Sequence, residues 1–500
     1  MELKKIVIGM LFFAMFYGNS QQKKPNVVVI LTDDQGYTDI GVRGIDPYVD
    51  TPTLDRLVSG GALMKSGYAS APKCVPSRAG LMTGRIQNEI GVVTNADDPL
   101  PLKDLSGNPL KIFPQYMKDL GYVTGQIGKW SLGEQPEYQV ADRGFDDYYS
   151  GENLKYKINF DLAGNGVPHQ IVKSPNNRVI VQGKAAEAFV EKNQENPFFL
   201  YLAFYGPHLP KIAKDDPYFL NFPQVDYPQY TAEMNTIRRQ GLAMVKAIDD
   251  AVGGLVKKLE DLDLDEDTLI LFAADNGGST KLQSVKKFLS QSDGSENVPL
   301  RGEKGTLWEV GIRVPMFAYW KGTIPAGLEI EEPVSTLDFT ASSIIAGGGK
   351  PPKEMDGVNL LPRLTQGASV VNRTTPLFWD HQPSIAIRKG DWKLQCYAAE
   401  DYLFDVREDP YELTNLRYTN LEKYDELFSE LMAWRARLPE KGKEALGKPR
   451  GMIYVTGAPK GTAVDFRFKL PNKENVLTPV PYPAPVFTPN APVKRKHKKK

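Results

Sequence analysis

Apolar residues along this chain follow two patterns with different periods. Short unbroken runs recur at Val27–Leu31 in NVVVILTDD, at Leu269–Ala274 in DTLILFAADNGG, and at the start of FFLYLAFYGPH. A half-exposed strand alternates apolar and polar residues, so an unbroken run marks a strand covered on both faces. Each run stops abruptly, at Thr32-Asp33-Asp34, at Asp275-Asn276-Gly277-Gly278 and at Gly206-Pro207-His208. Between the runs, Val245, Ile248, Val252, Leu255 and Leu259 recur at three- and four-residue steps and predict an amphipathic helix. Strands alternating with helices predict an α/β fold with a large, mostly parallel sheet flanked by helices on both faces. In such sheets ligands bind beyond the carboxyl ends of the strands, which is where these polar termini converge.

After residue 375 the pattern changes. SIAIRKGDWKLQCY reads as two short strands joined at Lys389-Gly390-Asp391, a hairpin, followed by an amphipathic helix near Leu421–Leu438 with Tyr424, Leu427, Phe428, Leu431 and Trp434 on one side. This predicts a main unit over 25–375 and a small C-terminal subdomain over 376–450, an antiparallel sheet with a helix. Residues 451–500 lose periodicity and form a proline-rich extension ending in the basic KRKHKKK. At the other end Lys4 and Lys5 precede twelve apolar residues, Ile6–Tyr17, then Gly18 and Ser20, the pattern of an export signal over 1–20. Twelve residues do not span a bilayer. The expected protein is exported, periplasmic or secreted, with no stable membrane anchor.

Composition narrows the class. Five hundred residues at 41% hydrophobic and 24% charged suffice for one large core and a smaller companion. Net charge is zero and the last seven residues hold six Lys or Arg, so the remainder is net acidic. With no phosphate-cradling glycine loop and no nucleic-acid motif, nucleic acid is excluded as a partner. The candidate chemistry lies at the strand ends. Asp33, Asp34, Asp275 and Asn276 offer only oxygen ligands, a set suited to a hard divalent cation, Ca2+ ahead of Mg2+. Taken singly, Asp-Asp is equally a helix cap and Asp-Asn-Gly-Gly a plain turn. Lys129 in GYVTGQIGKWSLG and Lys304 in PLRGEKGTLWEVGIRVP sit in glycine-punctuated stretches; with a histidine at one rim they describe an anion site. Two cysteines, Cys74 and Cys396, permit a disulfide in an exported chain.

The segment CVPSRAGLMTGR, Cys74 to Arg85, resembles the signature of the formylglycine-dependent type I sulfatases, Cys-X-Pro-Ser-Arg followed by a short run ending in Thr-Gly-Arg. Asp33-Asp34-Gln35-Gly36, Gly128-Lys129-Trp130, Gly206-Pro207-His208, Asp275-Asn276-Gly277 and RGEKGTLWEVGIRVP resemble further blocks of the same family in the same order, over roughly residues 25–420. The resemblance implies an alkaline phosphatase-like fold and a sulfuric ester hydrolase. It implies that a formylglycine-generating maturation enzyme oxidises Cys74, and that a hydroxyl of the hydrated aldehyde attacks sulfur. Pro76 suits the first turn of a helix, so residue 74 is expected just before a helix N-terminus, where the dipole favours an anionic nucleophile; Arg78, one turn in, steadies it. By resemblance Asp33, Asp34, Asp275 and Asn276 hold Ca2+ together with residue 74. Lys129 and Lys304 bind sulfate oxygens, and His208 protonates the departing oxygen. On this reading Cys74 and Cys396 do not pair.

The expected substrate is a sulfated carbohydrate, fragments of algal polysaccharides such as ulvan or carrageenan, or of glycosaminoglycans, with Ser131, His381 and Arg388 near it. One departure stands out. The block GKWSLG places Ser131 where most relatives carry a histidine thought to assist sulfate release, and serine is a poor base. His169 or His381 from a loop, or a metal-bound oxygen, is expected to take over. Two alternatives remain open: a phosphodiesterase or phosphonate hydrolase of the same superfold, and a catalytically silent, glycan-binding relative. Only four histidines argue against a second metal site, and the intact Cys74, Arg78, Lys129, His208 and Lys304 argue against silence.

Overall fold

In the computed structural model the first apolar run forms the middle of β1 (Asn26–Asp33), and all eight of its residues are buried. Side chains alternate across a strand, so Val28 and Ile30 enter one core while Val27, Val29 and Leu31 enter another on the opposite face. The structure describes residues 24–443, apart from 96–101, 103–107, 134–137, 153–154, 175–176, 229, 280–291 and 399. The expected export signal and the proline-rich extension lie outside the described residues.

Ten strands make the main sheet. Besides β1, the strands of this part of the chain are β2 (Ala62–Met64), β3 (Gly67–Tyr68), β4 (Val123–Gly128), β5 (Asp147–Glu152), β6 (Lys155–Phe160), β7 (Gly166–Lys173), β8 (Phe198–Pro207), β9 (Thr268–Ala274), β10 (Met316–Tyr319), β11 (Leu328–Ile330) and β12 (Val334–Ser335). The order across the sheet is β11-β2-β10-β9-β1-β8-β4-β5-β6-β7, while β3 and β12 pair separately. From β9 through β1, β8 and β4 to β5 the strands run parallel, and β10, β6 and β7 add antiparallel neighbours at the flanks. The helices Arg178–Asn193 and Ala232–Asp261 cover one face; Val245, Ile248, Val252, Leu255 and Leu259, the predicted stripe, are all buried in that core. The helices Cys74–Thr83, Phe113–Asp119 and Leu337–Ala346 cover the other. This is the α/β architecture expected from the alternation of runs and helices.

A second, four-stranded antiparallel sheet follows: β13 (Leu377–His381), β14 (Ser384–Lys389), β15 (Trp392–Cys396) and β16 (Asp401–Asp405), in that order. The helix Leu421–Arg437 packs on it through Leu427, Leu431 and Trp434, with Trp434 stacked 4.9 Å from Phe378. Buried charge joins this sheet to the main unit. Lys393 of β15 is fully buried, and its Nζ lies 2.9 Å from Glu309 Oε1 and 2.7 Å from Glu412 Oε1. Glu309, from a short helix of the main unit, also accepts the Tyr68 hydroxyl at 2.8 Å, and its backbone N–H donates to Glu412 at 2.8 Å.

The two carboxyls of this triplet titrate apart. Burial favours the neutral form of Glu309, but Lys393, Arg313 and Arg388 outweigh it and hold the group at about 2. Burial, reinforced by the nearby Glu309, pushes Glu412 up to about 7 despite Lys393. A raised carboxyl pKa means that the folded chain holds that proton more tightly than the unfolded one. The associated stability is therefore present below the ordinary value of 4.5 and is lost as pH rises through about 7. Glu412→Gln cannot ionise, so the fall in urea-unfolding free energy between pH 5 and 8 is expected to be shallower than in the wild type by up to about 3 kcal/mol. An unchanged slope identifies another group as the titrating one.

Candidate active site

Four adjacent strands, β9, β1, β8 and β4, end at one rim, and each delivers polar groups there. β1 ends in Asp33 and leads into Asp34, β9 leads into Asp275 and Asn276, β8 into His208 and β4 into Lys129. Backbone bonds tie these termini together: Asp275 N–H donates to Thr32 O at 2.9 Å, His208 N–H to Asp33 O at 3.0 Å and Lys129 N–H to Ala203 O at 2.8 Å. Asp34 has a left-handed φ of 64°, a conformation that Asp tolerates better than most residues. Two glycines are required by space. Gly128 has φ 90°, and a Cβ there would stand 2.0 Å from Ala203 O. At Gly277 it would stand 1.6 Å from Val310 O, where the segment carrying Lys304 closes over the strand ends.

Cys74 opens the helix Cys74–Thr83 as its first residue, with Lys73 as the N-cap, one position inside the boundary expected from Pro76. Cys74 and Cys396 are both buried and are not joined. Cys74 Sγ lies 3.3 Å from Asp33 Oδ1 and 3.9 Å from Asp34 Oδ1, and Lys304 Nζ is 3.2 Å from the sulfur. Each carboxylate has its own cation. Lys129 Nζ is 2.6 Å from Asp33 Oδ2; Lys304 Nζ is 2.5 and 2.7 Å from the two oxygens of Asp34. Arg78, fully buried, donates to Asp275 Oδ2 from Nε at 3.0 Å and Nη2 at 2.8 Å, and its Nη1 reaches the Tyr201 hydroxyl at 3.2 Å.

These neighbours divide the acids. Burial pushes Asp33 toward its neutral form, but Lys129, His208, Arg78 and Lys304 together hold it well below the usual range. Burial and the charge of Asp33 lift Asp275 to about 6 against Arg78 and Lys129. The Cys74 thiol is pushed up by burial, Asp275 and Asp33, so it is no ready thiolate.

The donor set fits a divalent cation. Asp33, Asp34, Cys74 and Asp275 each present one ligand atom, all within 4.8 Å of one another. Asn276 supplies a further sign: its Nδ2 donates to Asp34 Oδ1 at 2.7 Å, while its buried Oδ1 has no hydrogen-bond partner. An unpaired buried carbonyl oxygen beside three carboxylates is costly unless a cation uses it.

His208 stands at the edge of the cluster, its side chain 28% exposed, with Nε2 3.7 Å from Asp34 Oδ2. Nδ1 lies 2.8 Å from Leu209 O, a pure acceptor, so Nδ1 carries a proton and Nε2 faces the cluster. Sequence reasoning missed what supports it. The Tyr205 ring meets the His208 ring edge-on at 5.5 Å and lies under Lys129 Nζ at 4.9 Å and the Arg178 guanidinium at 4.3 Å. Arg178 also donates to His208 O and to Pro210 O, the latter at 3.0 Å. Tyr205 adjoins Gly206-Pro207-His208 in sequence, which was a usable signal; Tyr201 lies inside an apolar run and gave none.

The expected substrate contacts Ser131, His381 and Arg388 and the stand-in His169 sit on different elements. Ser131 follows the Lys129 turn with a left-handed φ of 55°. His381 ends β13 and is buried, and Arg388 of β14 is 2% exposed beside Glu309 and Tyr68. His169 is on β7, hydrogen-bonded to Tyr148 at 2.8 Å. Four strands, β8, β4, β5 and β6, lie between β1 and β7, five spacings or about 24 Å, which keeps His169 away from Asp33 and Asp34.

The chain matches the family model Sulfatase over residues 25–348 and the model N-sulphoglucosamine sulphohydrolase, C-terminal, over 302–440. It belongs to the sulfatase family, the class of sulfuric ester hydrolases. It is 32% identical over 370 residues to N-acetylgalactosamine-6-sulfatase of Sus scrofa, a match covering 69% of this chain and 66% of that protein. Arylsulfatase A of Homo sapiens is 30% identical over 438 residues, 80% of each chain. The crystal structure of Ps i-CgsB superposes with a TM-score of 0.72 at 29% identity, covering 84% of this chain and 95% of that one; the same protein in complex with k-i-k-neocarrahexaose gives 0.70 at 28%.

Adding Ca2+ after chelation is expected to raise the melting temperature by several degrees, because a ligand that binds only the folded chain stabilises it. Asn276→Leu removes the unpaired oxygen and is expected to lose most of that shift. An equal shift in both proteins excludes Asn276 as a ligand.

Proposed function

We propose that this chain is an exported, formylglycine-dependent sulfatase that requires Ca2+ and removes sulfate esters from sulfated polysaccharide fragments. The observation that carries the reading is the convergence of Asp33, Asp34, Asp275, Asn276, Cys74, Arg78, Lys129, Lys304 and His208 at one end of four neighbouring strands. Carrageenan-type or glycosaminoglycan fragments are the favoured substrates. Support comes from the relatives: one is named for a 6-sulfated N-acetylgalactosamine and one was crystallised with a neocarrahexaose.

Residue 74 supplies the nucleophile only after oxidation by a maturation enzyme, since its thiol is held neutral. Asp33, Asp34, Asp275 and Asn276 would hold Ca2+, whose charge, when bound, draws electron density from a sulfate oxygen. Lys129 and Lys304, already within 2.7 Å of the carboxylates, are placed to bind the other sulfate oxygens. Arg78 keeps Asp275 in place at the foot of the nucleophile. As a hydroxyl of hydrated residue 74 bonds to sulfur and the S–O bond to the sugar breaks, His208, protonated at both ring nitrogens, gives its Nε2 proton to the departing oxygen; the proton lost by the attacking hydroxyl makes good that loss, and the sugar leaves as an alcohol. Loss of a proton from the remaining hydroxyl at residue 74 then expels sulfate and returns the aldehyde, which water rehydrates. The net change is ester plus water to alcohol plus hydrogen sulfate.

Peptide mass spectrometry of protein coexpressed with a formylglycine-generating enzyme tests the nucleophile: the expected result is loss of the Cys74 thiol mass with gain of an aldehyde or its hydrate. A fully retained thiol overturns the reading. His208→Ala is expected to lower kcat on sugar sulfates about 10²–10⁴-fold. The loss on 4-nitrophenyl sulfate is expected to be much smaller, because nitrophenolate departs without protonation. Equal losses on both substrates remove His208 as the general acid.

A further inference from the structure

The β5–β6–β7 flank carries charge that the cluster at residue 74 does not use. Tyr156, Ile158 and Phe160 of β6 enter the core under the two long helices, so the alternate residues Lys155 and Lys157 face the opposite side, the side of the Cys74 helix. Cross-strand register puts Ile171 beside Lys157 and Lys173 beside Lys155 on that same side. The row is in register with the site: Gly128 of β4 pairs with Ser150 of β5, and Ser150 with Lys157. The Lys155–Lys173 pair stands one step further toward the rim where Lys129 emerges. β6 and β7 are two and three strands from β4, or about 10 and 14 Å.

Lys155 and Lys173 are exposed, Ile171 is 64% exposed, and neither of these two lysines has an ion pair or side-chain hydrogen bond among the described residues. Lys157 Nζ donates to Gln139 Oε1 at 2.8 Å. Two like charges directly opposite each other weaken a sheet. In backbone register Lys155 stands opposite position 152 of β5.

We infer that this row is a docking strip for the anionic chain of a sulfated polysaccharide, holding sulfate or carboxylate groups of sugar units beyond the one whose ester meets residue 74. The inference rests on the sulfatase reading for the position of the scissile ester. Its physical basis is independent of that reading: a basic row relieved of like-charge repulsion when an anion lies between its lysines, beside an apolar side chain that suits a sugar face. Charge complementarity and continuity with the rim select a polyanion as the occupant.

The test uses the full chain with Cys74 unconverted, so that binding is read without turnover. Wild type, a triple variant (Lys155→Gln, Lys157→Gln, Lys173→Gln) and a charge-preserving triple (Lys→Arg at the same positions) are run in native gels containing κ-carrageenan or chondroitin sulfate over a range of NaCl. The wild type is expected to be retarded. The Gln triple is expected to bind about tenfold more weakly with a shallower salt dependence, and the Arg triple to match the wild type. Equal retention and equal salt dependence of the Gln triple overturn the strip, as does a wild type retarded by neither polymer. With matured protein, hydrolysis of 4-nitrophenyl sulfate by the Gln triple at the wild-type rate separates the two readings. If no sulfate is released from any substrate by the wild type while the binding difference persists, the enzyme assignment fails and the strip stands.

Discussion

Three buried carboxylates set side by side are the constraint on which this structure depends. Asp33, Asp34 and Asp275 are fully or almost fully buried, and Coulomb repulsion in such surroundings favours protonation or separation. The fold meets the constraint with one cation for each acid: Lys129 on Asp33, Lys304 on Asp34 and Arg78 on Asp275. Each cation arrives on a different element, a strand end, a loop and a helix, so the surrounding architecture is in large part a device for delivering countercharge to one place. Arg78 is fixed in its role by two hydrogen bonds to one oxygen and a third to Tyr201. The two lysine side chains reach their carboxylates through ammonium groups at the ends of flexible stems. Were Asp33, Asp34 and Asp275 satisfied by a divalent cation, both lysines would be in surplus and could meet an anionic ester.

The legible parts of the sequence were those where a local pattern determines structure. β1, β8 and β9 were visible because strands buried on both faces must be apolar throughout, and the polar residues that end them were visible as interruptions. β4 was fainter, since Gly125 and Gln126 break its run. The order β9-β1-β8-β4, which puts four separate termini side by side, comes from pairings between residues more than seventy apart and leaves no periodic trace. Strands of two to four residues such as β3, β10 and β12 are too short to show a period.

Residues whose chemistry depends on distant partners were missed for the same reason. Lys393 lies mid-strand and would ordinarily be taken for a surface lysine, yet it is fully buried because Glu309, 84 residues earlier, meets it. Arg178 begins a helix and reads as an unremarkable charged residue until the cis-linked turn at His208 folds back onto it. Ser131 was legible as a departure from a motif, but its left-handed backbone was not.

The Glu309–Lys393–Glu412 triplet ties the small sheet to the segment that carries Lys304. Glu309 follows Lys304 by five residues and opens the short helix that ends its loop, so the ammonium beside residue 74 hangs from a segment whose other end is neutralised by the small sheet. A C-terminal module grafted from a relative without a lysine at the position of Lys393 would strand an ionised carboxylate in the interior, at the root of the catalytic loop. The small sheet and the main unit of this chain are therefore not independent parts: a replacement sheet must carry the matching positive charge.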